Sequence, residues 1–152
     1  MSKNQDEKFI RRSAIIWLGR NGYGRNLREK ETHEHGIDIK VRHNKYPRYF
    51  IVEVKGDSDI KKIKNPHSRR EVYFIGVLGQ IITRMKYKAR YRYAIALPES
   101  YSDKVFRRLS PILMKKLDLS VLLVNKEGKT REINWRTLEI IQREKENTPK
   151  LY

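Results

Sequence analysis

The sequence predicts an α/β domain of the α+β kind: one mixed central sheet with helices on both sides. Three observations predict it. Apolar residues recur at helical spacing in some segments and alternate or run continuously in others, in the order helix, two or three antiparallel strands, helix, strand, helix, strand. The length of 152 residues suits one domain, and residues 1–152 show no linker, internal repeat or low-complexity stretch. Hydrophobic residues make up only 38% of the chain, but they concentrate in the periodic segments, so one modest core is expected rather than disorder.

The elements follow in order. From Asp6 to Arg20, Ile10, Ala14, Trp17 and Leu18 share a helical face, with Asp6 and Glu7 in the first turn, where carboxylates suit the helix dipole, and Asn21-Gly22 as a C-cap. Tyr23 to His35 is polar, with room for a short strand over 26–32. Gly36 to Arg42 alternates, setting Ile37, Ile39 and Val41 against Asp38, Lys40 and Arg42. His43 to Pro47 carries turn chemistry. Arg48 to Lys55 is a second strand, with Phe50, Val52 and Val54 on one face and Tyr49, Ile51, Glu53 and Lys55 on the other. A hairpin through the turn brings Asp38, Glu53 and Lys55 together at one end. Gly56 to Arg70, rich in lysine, reads as a loop, and Glu71 to Lys88 as a helix with Phe74, Val77, Leu78, Ile81, Ile82 and Met85 inward. Arg90 to Leu97 is a buried type of strand. Ser102 is expected to cap a further helix that Pro111 kinks or splits. Leu119 to Val124 forms another strand, Glu127-Gly128 a turn and Arg136 to Glu146 a closing helix.

Charge narrows the function. Lys and Arg number 35 against 18 Asp and Glu, a net charge of +17. Such an excess costs self-repulsion that a polyanion offsets, so nucleic acid is the expected partner. No cysteine is present, which removes disulfides, thiolate nucleophiles and cysteine-based zinc sites and fits a reducing cytoplasm. The opening Met1 to Glu7 lacks the apolar core of a signal peptide, and no apolar stretch approaches the roughly 20 residues that span a bilayer, so a cytoplasmic protein without membrane contact is expected. His33-Glu34-His35 offers two histidines, which do not make a zinc site. Gly19, Gly22 and Gly24 follow a helix rather than precede one, so they do not form a phosphate-binding loop.

Within this basic chain, Asp38 and the Glu53-Val54-Lys55 triplet stand in apolar, β-rich runs, where an unpaired acid is costly to bury. Two acids and one ammonium on neighbouring strands have the chemistry of a divalent-metal site that hydrolyses a phosphodiester. Each residue also has a plain alternative. Asp38 can be a strand-end turn residue, and Glu53 with Lys55 an exposed ion pair of little worth. Glu7 can serve the helix dipole alone, and Gln80 can be an ordinary surface residue.

The residues Gly36-Ile37-Asp38 and Val52-Glu53-Val54-Lys55-Gly56, with Glu7 in the first helix and Gln80 in the helix after the site, resemble the PD-(D/E)XK nuclease superfamily. The opening from Glu7 to Tyr23 is similar to archaeal Holliday-junction resolvases and related repair nucleases. The resemblance spans roughly Asp6 to Leu97, and Ile37 stands where the motif often has proline. It implies a restriction-endonuclease-like αβββαβ core and a metal-dependent DNA endonuclease. Asp38, Glu53 and the Val54 carbonyl would hold Mg²⁺ or Mn²⁺. Lys55 would activate water and oppose charge on the phosphorane. Glu7 would be an outer ligand, with Glu31 and Glu34 as rivals, and Gln80 would orient the water or Lys55. Hydrolysis would leave 5′-phosphate and 3′-hydroxyl ends.

Lys61, Lys62, Lys64, Arg69, Arg70, Arg84, Lys86 and Lys88 are the expected contacts to the phosphates of double-stranded or branched DNA, and Tyr87, Tyr91 and Tyr93 among the basic residues either stack on bases or pack in the core. Cutting both strands calls for two sites, which is compatible with a homodimer. The competing readings are a nucleic-acid-binding module with an inactive nuclease-like site, and RNA processing by the same fold.

Overall fold

The structure is a computed structural model that describes residues 5–25, 37–57, 64–85 and 90–147. Its elements are α1 (Glu7–Arg20), β1 (Ile39–Arg42), β2 (Tyr49–Val54), α2 (Pro66–Thr83), β3 (Tyr91–Pro98), a 3₁₀ turn (Glu99–Tyr101), α3 (Ser102–Arg108), α4 (Pro111–Leu117), β4 (Leu119–Val124), β5 (Thr130–Ile133) and α5 (Trp135–Asn147). The strands form a single mixed sheet in the order β1-β2-β3-β4-β5. The β1–β2 and β4–β5 pairs are antiparallel, and the two central pairings, β2–β3 and β3–β4, are parallel.

The central strands show why the sheet is covered on both faces. Every residue of β4, and Tyr93 to Pro98 of β3, is buried, as parallel strands sandwiched by helices require. One apolar cluster joins Ile10, Ala14 and Leu18 of α1 to Phe50, Val52, Ala94, Ala96, Leu122 and Val124. Ala14 of α1 and Ala94 and Ala96 of the sheet share this cluster, and their small side chains let the helix lie close. The opposite cluster joins Ile51, Tyr93, Ile95, Val121 and Leu123 to Phe74, Val77 and Ile81 of α2, Val105 of α3, Met114 of α4 and Leu138 of α5. Each fully buried aliphatic or aromatic side chain here contributes about 1.5–3 kcal/mol.

The hairpin expectation holds: Ile39 pairs with Val52 and Arg42 with Tyr49, and the face assignment of β2 matches the two clusters. β1 is shorter than the run from Gly36 suggested. Ile37 packs with the α2-side cluster, not with Ile39 and Val41, because the strand begins only at Ile39.

Four further differences from the sequence reading are physical. The segment 64–70 is not loop: α2 starts at Pro66, with Pro at a position whose missing N–H costs nothing and the Asn65 side chain accepting from Ser68 N. The same helix ends at Thr83, short of Lys88. Ser102 does not cap α3; a 3₁₀ turn leads into the helix and no side chain caps it. As expected, Pro111 splits the helix from Ser102 in two, opening α4 behind a Ser110 cap that accepts from Leu113 N. β5 was not anticipated. The expected strand over 26–32 lies outside the described residues. Among the described residues no helix is long and apolar enough to cross a membrane.

Candidate active site

The carboxyl ends of the parallel strands β2, β3 and β4 lie at one edge of the molecule, the usual place for ligands in open α/β sheets. The end of β2 is built most elaborately. Its last pairing with β1 is Ile39 to Val52, and beyond it the Asp38 side chain takes over: Oδ2 accepts the Val54 N–H at 2.8 Å. Asp38 is therefore held beside the strand that carries Glu53.

Glu53 points to the α2 side and is 1% exposed. Its carboxylate accepts from Arg84 Nε at 3.0 Å. Burial lifts its pKa, a hydrogen bond and like charge from Asp38 lift it further, and Arg84 pulls it back; the balance stands at about 7 against an ordinary 4.5. The raised value is the signature of two acids forced together in low dielectric.

Lys55 follows on the same face. Its backbone N–H donates to the Ala96 carbonyl at 3.0 Å, which fixes the strand end against β3. Its ammonium lies 3.1 Å from Glu7 Oε1 and 4.2 Å from the centroid of the Tyr73 ring on α2. Glu7 arrives there through the entry to α1: Asp6 caps the helix by accepting from Phe9 N, the Gln5 carbonyl accepts from Asp57 N, and the Gln5 amide donates to the Val124 carbonyl. Gly56 permits this approach. A β-carbon there would lie 2.4 Å from Glu7 N and 2.6 Å from the Asp6 carbonyl carbon, both backbone atoms that cannot swing aside.

The structure thus brings together Asp38, Glu53, Lys55 and Glu7. Gln80 is exposed, and its backbone carbonyl accepts from Thr83 Oγ1. It lies one turn before Arg84 on α2, and among the described residues its side chain bonds to no member of the site. Glu31, Glu34, His33 and His35 lie outside the described residues. Among the described residues no third acid or histidine joins Asp38 and Glu53.

The basic residues divide. Lys64 and Arg69 are exposed, and Arg69 sits over the Tyr73 ring at 5.8 Å, next to Lys55. Arg70 is held by Asp57 at 3.2 Å, and Arg84 by Glu53. Arg92 turns to the α1 side, where it pairs with Glu132 at 3.0 Å. Lys61, Lys62, Lys86, Lys88 and Tyr87 lie outside the described residues. Tyr93 is buried in the core, and Tyr91 stacks on Tyr49.

Sequence reasoning did not pair Arg84 with Glu53, since the contact spans 31 residues and depends on the length of α2. Nor did it single out Asp57, whose carboxylate accepts from both Arg70 of α2 and the Ser100 hydroxyl. An acid two residues after the triplet was the available signal.

No protein-family model matches the chain, and no curated protein resembles it in sequence. Among solved structures it is similar in fold to an XisH family protein from Nostoc punctiforme PCC 73102, with a TM-score of 0.52 and 14% identity, over 83% of this chain and 99% of that one. At that identity the likeness is one of fold, and it matches the five-stranded mixed sheet flanked by helices.

Proposed function

We propose that the chain is a metal-dependent DNA endonuclease with a restriction-endonuclease-like fold, and that Asp38, Glu53 and Lys55 form its cleavage centre. One observation carries the reading: two carboxylates and an ammonium converge at the carboxyl end of β2, in an otherwise strongly basic molecule. The donor set fits a hard divalent ion. Asp38 and Glu53 are oxygen donors close enough that Asp38 raises the proton affinity of Glu53, a tension that a cation relieves, and the Val54 carbonyl follows Glu53 directly in the chain. Mg²⁺ or Mn²⁺ held there would supply positive charge at a scissile phosphate.

The chain's own groups do the rest. Glu7 and the Tyr73 ring hold the Lys55 ammonium in place, where it orients an attacking water and opposes charge on the pentacovalent phosphorus. Lys64 and Arg69, exposed on the same side, hold the polyanion.

The test is incubation of purified protein with plasmid, branched and single-stranded DNA in Mg²⁺, Mn²⁺ or EDTA. Cutting in metal and none in EDTA is expected, abolished by Asp38→Ala or Glu53→Ala with DNA binding retained. DNA left intact in both metals overturns the proposal. The second reading is a nucleic-acid-binding module with an inactive site, and one contact favours it: the Arg84 guanidinium sits on Glu53 and supplies positive charge where an ion would. A pure binder shows no thermal shift with Mn²⁺.

A further inference from the structure

β1 is the last strand in the order of the described sheet, with residues 22–24 bonded to its outer side at Arg42 and Asn44, and its side chains carry cations toward the site. Lys40 pairs in register with Ile51, and Arg42 with Tyr49. Ile51 belongs to the α2-side cluster, so Lys40 and Arg42 project on that same side, and Asp38, just before the strand, reaches it through its contact with Glu53. Lys40 and Arg42 are exposed, and among the described residues neither forms an ion pair. Two residues of strand advance by roughly 6.8 Å, a stride close to that of an extended sugar–phosphate chain. Beside the cations lies a stacked aromatic pair. The rings of Tyr49 and Tyr91 stack with centroids 5.0 Å apart and planes 15° from parallel, both half-exposed, and the Lys40 ammonium lies 5.9 Å from the Tyr91 ring. Exposed Arg90 adds charge at the same end.

We infer that β1 and the Tyr49–Tyr91 stack form a track for a single strand of nucleic acid, its phosphates on Lys40 and Arg42, an unpaired base against the tyrosines, and its path leading to Asp38 and Glu53. Duplex fits this edge less well, because its bases are already stacked and present no free face to a tyrosine. The inference rests on the nuclease reading only for what happens at the Asp38 end. The substrate class it names is an unpaired stretch: a single strand, a flap or the arm of a branch.

The experiment measures binding in EDTA, without cleavage, by fluorescence anisotropy of one labelled oligonucleotide, alone and annealed to its complement, across a salt series. Lys40→Ala with Arg42→Ala is compared with Lys126→Ala with Lys129→Ala, two exposed lysines at the β4–β5 turn that remove the same charge. The track variant is expected to weaken single-strand binding at least about tenfold. It should also lower the slope of log K against log salt by about 1.4, the value for two phosphate contacts on a single strand. Tyr91→Leu, which keeps the bulk of the packing, should weaken the oligonucleotide about fivefold or more while leaving inorganic polyphosphate, which has no bases, unchanged.

Three results overturn the track. They are a loss in the turn variant equal to that of the track variant, a loss on duplex as large as on single strand, and native-like binding of the oligonucleotide by Tyr91→Leu. The outcome is independent of catalysis: a protein that binds this way and cuts nothing refutes the nuclease and keeps the track, and one that cuts without it does the reverse.

Discussion

Replacing Arg84 by methionine keeps the aliphatic stem and removes the guanidinium from Glu53. In the native chain the Glu53 carboxyl holds its proton to about pH 7 in the folded state, against 4.5 when exposed. An acid with a raised folded pKa penalises the folded state as pH climbs. Its penalty is absent below about 4.5, grows through the window from 4.5 to 7 and is complete above it, at about 3 kcal/mol. Without Arg84 the carboxylate keeps its burial and its Asp38 neighbour but loses the partner that lowers its pKa, so the window extends upward. Breaking a buried pair ordinarily costs about 3–5 kcal/mol, yet here protonation offers an escape. With the folded proton held to higher pH than in the native chain, the extra loss is near zero at pH 5, and at pH 8.5, about 1.5 pH units above the native value of about 7, it is capped at about 2 kcal/mol. Urea unfolding in EDTA at the two pH values measures it. An equal loss at both would show that Arg84 acts through packing, and no loss at pH 8.5 would show that the pair contributes nothing.

Three other outcomes follow from the same geometry. Gly56→Ala drives a methyl group into the backbone of Asp6 and Glu7, so a loss of about 1–3 kcal/mol is expected in urea unfolding, together with reduced cutting; an unchanged midpoint contradicts the close approach. The Tyr101 hydroxyl is fully buried with no hydrogen-bond partner among the described residues, so Tyr101→Phe should be neutral or mildly stabilising by thermal melting. A drop of more than about 1.5 kcal/mol would reveal a partner for that hydroxyl. Lys55→Met should abolish cutting in Mg²⁺ while leaving stability within about 1 kcal/mol, because the Glu7 contact is half-exposed; retained cutting removes Lys55 from the chemistry.

The hairpin and its charged end were legible because a strand has a period of two: once Phe50, Val52 and Val54 are read as one face, Glu53 and Lys55 must share the other. Asp38 came to the same end through the turn at 43–47. The start of α2 was harder to read. Pro66, His67, Ser68, Arg69 and Arg70 have no apolar periodicity, and only the Asn65-Pro66 cap signals a helix there. β5, with the sequence Thr-Arg-Glu-Ile, buries a single residue, so no apolar run announces it; its place is set by pairing with β4. The Arg84–Glu53 and Gln5–Val124 contacts depend on where whole elements end up, and local pattern carries no information about that. Glu7 could be read only as a first-turn acid, since its approach to Lys55 is decided by the space left at Gly56.

The strands lie side by side in the order in which they leave the ribosome. Each new strand can therefore dock on the one before it, and the sheet can grow outward during synthesis without waiting for a distant partner. The first helix is the exception. Its seat is made by β3 and β4 as well as β2, and its entry is tied to Val124, so a helix made before any of these strands is among the last elements to settle. Asp38 and Glu53 can meet while the chain is half made, but the glutamate that steadies Lys55 arrives only when the fourth strand is in place.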